Sequence, residues 1–225
     1  MQASPEMKPL RHVRLLFVEV KQSQWLALVA VVLILATYWI FLALALSPKP
    51  EISTKALPAF EGMCVILAPL GAALWGYLCV GRVFEEGRDV LCVRDRHHVT
   101  KAAIRAAVPL LLLVSASSGT TSVLVPEHST GIMLLALRVM SWSVLCIAMI
   151  AFASYAFSAA FIGLAASLMT IVFAYGIHLG WLVYNPSWLQ PGGTTDSLNH
   201  ALIIAVAGLL LTAVLFFWER RRVRR

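Results

Sequence analysis

Residues 81–101 read GRVFEEGRDVLCVRDRHHVTK, four acids and five bases set between two apolar runs. The runs decide how the stretch is understood. Gly62–Val80 before it and Ala103–Val125 after it are each about as long as the 20 apolar residues that cross a hydrocarbon core. The same pattern recurs at Trp25–Leu46, Gly131–Phe152, Ala159–Val183 and Ala201–Trp218, so the sequence predicts six membrane spans. Charged residues make up 13% of the 225, against about a quarter in a soluble domain. The expected fold is therefore all-α and integral to the membrane, one transmembrane domain over residues 1–225, with no soluble domain beside it.

Basic residues orient the spans. Lys8, Arg11, Arg14 and Lys21 precede the first; Arg82, Arg88, Arg94, Arg96, Lys101 and Arg105 lie in or beside the 81–101 loop; Arg220, Arg221, Arg222, Arg224 and Arg225 close the chain. With six spans these fifteen of the eighteen Lys and Arg share one face, opposite Lys49 and Lys55, while Arg138 falls inside a span. The positive-inside rule makes that face cytoplasmic, with both termini there. A bacterial inner membrane is the expected location. The net charge of +7 is then a topology signal that also favours anionic membrane lipid, and no nucleic-acid partner is needed.

The segments between spans carry further signals. Leu10, Val13, Leu16, Phe17 and Val20 recur at helical spacing between Lys8, Arg11 and Arg14, which suits a cytoplasmic interfacial helix over residues 1–24. The alternative is an extension of the first span. LALALS (42–47) resembles a signal-peptidase site, but the apolar run before it exceeds the usual length of about 7–15 residues, so a retained span is expected. Cys64, Cys79 and Cys146 lie in spans and Cys92 in the charged loop, giving no metal-ligand spacing and no outer-face disulfide. Residues 184–200 form an outer loop with Tyr184 and Trp188 suited to the aromatic belt. ASYAFSA (153–159) joins two spans almost without charge and requires a short turn. Residues 219–225 read as a basic cytoplasmic tail.

What is missing narrows the function. No Asp or Glu lies well inside a span, Glu61 being at an outer edge. Ion-coupled transporters generally place such a group at depth. No Gly-Lys pair occurs, which excludes a P-loop phosphate cradle, and no cofactor site is expected in this chain. Any vectorial work must draw its energy from another polypeptide. Within the charged loop Val83, Phe84, Gly87, Val90 and Leu91 share one face of a two-turn helix, with Glu85, Glu86, Arg88 and Asp89 on the others. That is a candidate lever for a soluble partner; an ordinary solvated loop has the same periodicity.

FEEGRDVLCVRDRHHVTK (84–101) resembles the segment between the second and third spans of ABC-2-type exporter permeases. An acidic pair, a glycine, a leucine-bearing helix and a lysine entering the next span are filled here by Glu85, Glu86, Gly87, Leu91 and Lys101. Arg88 and Asp89 depart from the small and apolar residues often found after that glycine. The layout resembles the family over the whole chain, the residues over about 20 positions. The resemblance implies a half-transporter that pairs as a homo- or heterodimer of permeases and docks on ATP-binding-cassette ATPase subunits, which bind the ATP and Mg. It implies a coupling helix between spans two and three whose docking surface is Phe84, Glu85, Glu86, Gly87, Arg88, Asp89 and Leu91.

Arg138 and His178 are the ionisable groups within the predicted spans. Each has two readings: a substrate path or gate, or a residue hydrogen-bonded for packing at the interface. SASSG (115–119), with Ser118 before Gly119, and HLGW (178–181) resemble the serine and histidine segments of rhomboid proteases, which implies a Ser118–His178 dyad. Ala116 stands where that family has glycine. A membrane scaffold or immunity protein without turnover is the third class.

Overall fold

The computed structural model describes residues 28–36, 39–40, 43, 66–81, 84, 98–176 and 193–222. Among them the chain is all-helical, with no strand. Residues 28–36 form α1, Ile66–Gly81 α2, His98–Leu124 α3, Ser129–Phe157 α4, Ala160–Gly176 α5 and Gly193–Arg222 α6. Three of these are long and apolar enough to cross a membrane, within Val99–Leu124, Ser129–Phe157 and Thr194–Arg221. The expected six spans are thus not all present as full-length helices in the described residues. α2 reaches only about 24 Å at 1.5 Å per residue, and the apolar part of α5 covers Ala160–Phe173.

α4 is the axis of the bundle. It packs against α3, α5 and α6, and Ile147 and Ile150 line its contact with Gly76 of α2. Trp142, Ile132, Ile147 and Ile150 are almost completely enclosed. A helix surrounded on all sides can be apolar all round, which is how residues 131–152 read in sequence. Lipid is as apolar as leucine, so helices in a bilayer associate by close packing of small residues. The bundle follows this rule at Gly163, where an added Cβ would stand 2.5 Å from the Ile150 carbonyl oxygen, and at Gly208, where it would stand 3.0 Å from the Leu145 nitrogen. Of the small pairs visible in sequence, Gly71 and Ala72 are buried, while Ala165 and Ala166 are half-buried.

The connections follow from local chemistry. Pro126–His128 makes a single 3-10 turn between α3 and α4, antiparallel neighbours. α4 ends at Ser158, whose φ of 54° is left-handed. The Ala159 amide then donates 3.1 Å to the Ser154 carbonyl, the six-to-one bond of a Schellman cap. The turn between α4 and α5 is therefore as short as ASYAFSA requires. α6 runs parallel to α4: Gly208 meets Leu145 and Trp218 meets Tyr155, the same 63-residue offset at both points.

One end of the bundle collects several chain segments. Gly81, closing α2, lies against Ala160 at the start of α5. Trp218 near the end of α6 packs on Phe152 and Tyr155 of α4, each with ring centroids 5.5 Å apart. The start of α3 meets the end of α6 at Glu219. The two flanks of the charged 81–101 stretch therefore emerge at one end, beside the α4–α5 turn.

Candidate functional site

At that shared end Glu219 is the decisive residue. Ile204, Gly208, Leu215 and Glu219 recur along the buried seam of α6, and Glu219 is 2% exposed. Its carboxylate accepts the Val99 amide on Oε1 at 3.1 Å and the Thr100 amide on Oε2 at 3.3 Å, and Thr100 Oγ1 donates to Oε2 at 2.5 Å. The first amides of a helix have no intrahelical acceptor and carry the positive end of its dipole. A carboxylate from a helix about 120 residues away fills that role for α3. Sequence reading placed Glu219 in a basic tail. The structure instead continues α6 to Arg222 and turns this side chain inward.

The same clasp moves a predicted boundary. The coupling loop was expected to run to residue 102, but α3 begins at His98, because external acceptors hold its first amides in helical register. Likewise the outer loop expected over 184–200 is helical from Gly193, with Asp196 in the first turn of α6, where negative charge complements the dipole.

Of the predicted docking residues, Phe84 is helical and half-buried against the core. Glu85, Glu86, Gly87, Arg88, Asp89 and Leu91 lie outside the described residues. Phe84 thus joins the charged stretch to the bundle at the α2 side, as Glu219 does at the α3 side.

Arg138 is buried at 2% exposure in α4, about 14 Å from that helix's start at 1.5 Å per residue. It shares a face with Leu145 and Phe152 at seven-residue spacing, the face that meets α6. The 63-residue offset sets it level with Ala201, next to His200, which is 7% exposed. His200 was not singled out in sequence, because it falls in the segment read as an outer loop. His178, the predicted companion of Arg138, lies outside the described residues.

The serine-rich part of α3 is hydrogen-bonded to its own helix. Ser118 Oγ donates to the Ser115 carbonyl at 3.0 Å, Ser117 to Leu113 at 2.8 Å and Thr121 to Ser117 at 2.7 Å. This is the ordinary way a hydroxyl is satisfied in an apolar helix; the Ser118–His178 pairing itself falls on His178, outside the described residues. Neither Cys79 nor Cys146 is in a disulfide. Among the described residues no group of three or more His, Cys, Asp or Glu side chains could hold a metal ion.

No family model, curated protein or solved structure matches the chain.

Proposed function

We propose that this chain is the membrane subunit of an ATP-binding-cassette exporter. It has six spans and both termini in the cytoplasm of a bacterial inner membrane. It pairs with a second permease and is driven by ATPase subunits that bind ATP and Mg. Its substrate is hydrophobic or amphipathic: a drug, peptide, lipid or haem-like group. The observation that carries the reading is mechanical. Both flanks of the charged stretch leave the bundle at one end, through Phe84 on the core and through the α3 start clasped to Glu219. Force applied to a lever there reaches α2, α3 and α6 together, as coupling through rigid elements requires. The lack of a phosphate cradle and of acids within the predicted spans supports a borrowed source of energy. Arg138 and His178 are the residues proposed for the substrate path.

The test is co-purification with candidate ATPase subunits, followed by ATPase assay with Glu86→Lys and Asp89→Lys. Like-charge juxtaposition at a docking surface costs several kcal/mol, so complex formation and stimulated hydrolysis are expected to fall by at least about tenfold. An unchanged complex with unchanged hydrolysis would remove the docking claim.

A further inference from the structure

We propose that α3 is hinged at Pro109. Its inner half, His98–Val108, pivots as a rod on an outer half fixed to α4, and Trp75 of α2 is the positioning residue that holds the pivot. Proline lacks the amide that would bond the carbonyl four residues earlier, here that of Arg105, and its ring presses on the same carbonyl. Pro109 sits inside α3, about 16 Å from the helix start at 1.5 Å per residue. A membrane helix tolerates such a break when a neighbour re-satisfies the disturbed backbone. Trp75 does so here. Its indole Nε1 donates to the Ala106 carbonyl at 2.9 Å, on the turn that the proline interrupts.

The two halves are built differently. The outer half buries Leu110, Val114 and Thr121, with Leu113 packed against the core. It passes into α4 through the single turn Pro126–His128, where the Val125 amide donates 2.9 Å to the Thr121 carbonyl. Branched side chains interdigitated with a neighbour resist sliding, and so short a connection leaves no slack. The inner half buries Val99, Ala102, Ala103 and Ala106, a face of short side chains with little relief, suited to the small sliding of a shear motion. Glu219 joins its tip to the end of α6, so those two inner ends move together. The charged stretch leads directly into the tip. A swing of about 20°, the onset of sharp proline kinks, carries the tip through about 6 Å. The inference deepens the transport reading: its use in coupling rests on that reading, whereas the hinge is measured without an ATPase and survives the loss of the docking claim.

The experiment measures distance distributions by double electron–electron resonance in the full-length protein in lipid nanodiscs, with Cys64, Cys79, Cys92 and Cys146 replaced by alanine. Nitroxides at Ile104 and Phe157 report the inner half and nitroxides at Val123 and Met133 the outer half; all four side chains are exposed. Ile104 lies five residues from the pivot. A swing of about 20° moves it by about 3 Å, and the inner distribution is expected to exceed the outer one in width by about that amount. Pro109→Ala restores the missing backbone bond and is expected to narrow the inner distribution to the outer width. Trp75→Phe keeps an aromatic ring and removes the donor. It is expected to raise the population of the minor inner distance by about two- to tenfold, the weight of one neutral hydrogen bond. The opposite signs of the two variants separate a hinge from general loosening, which both would increase. Equal widths in the wild type would overturn the proposal. So would a Pro109→Ala distribution as broad as the wild type's, or a Trp75→Phe distribution unchanged from it.

Discussion

Gly163→Ala is expected to destabilise the bundle by about 3 kcal/mol, the upper end of ordinary overpacking costs. The added carbon would collide with Ser154 Oγ and would stand 2.5 Å from the Ile150 carbonyl oxygen and 3.1 Å from Ile150 Cα. A hydroxyl can rotate away, but the backbone of α4 cannot, so α5 must shift off the axis helix and drag the tight 157–160 turn with it. Gly119→Ala is the matched control: nothing lies within 4 Å of its added Cβ. It is expected to stabilise the helix by about 0.5–1 kcal/mol through backbone entropy. Unfolding in mixed micelles followed by tryptophan fluorescence measures both, and equal midpoints for the two variants would contradict the α4–α5 packing described.

Glu219→Ala is the second large effect, a loss of about 3 kcal/mol. Charge-assisted hydrogen bonds are worth about 1.5–3 kcal/mol each, and removing an acceptor strands its buried donors. The full sum of three bonds is not expected, because the Val99 and Thr100 amides can recruit water once the clasp is gone. Glu219→Gln keeps one acceptor oxygen and is expected to cost about half as much. Hydrogen exchange locates the effect. The amides of Val99 and Thr100 should lose protection while the centre of α4 keeps its own. Uniform loss across the bundle, or none at residues 99–100, would contradict the clasp.

How much of this was legible in the sequence depends on the range of the interaction. Apolar runs report local burial, and Ala103–Val125 and Gly131–Phe152 correspond closely to α3 and α4. The turn at ASYAFSA was readable because a charge-poor connection has little room. The ends of helices were less readable. α3 starts earlier than its apolar run because its first amides are satisfied by a residue about 120 positions away, and no periodicity encodes such a partner. Glu219 followed by three arginines looked like solvated tail. A signal was nonetheless present: the spacing from Gly208 through Leu215 to Glu219 continues the buried seam of α6. His200 was obscured because the start of α6, Gly193–Asn199, is polar in composition and only its first-turn Asp196 hints at a helix terminus. Arg138 was visible as a charge inside an apolar run, and its position level with Ala201 of α6 required the register of two parallel helices.

The central claim is that the charged stretch lies on the cytoplasmic face, where a partner ATPase can push on it. Cys92, already within that stretch, offers the most direct measurement once Cys64, Cys79 and Cys146 are replaced by alanine. A membrane-impermeant maleimide is applied to right-side-out and inverted vesicles, with Thr130→Cys at the far end of the α3–α4 hairpin as the counterpart. Cys92 is expected to react only in inverted vesicles and residue 130 only in right-side-out ones. Labelling of Cys92 from the outer face of intact vesicles would contradict the account.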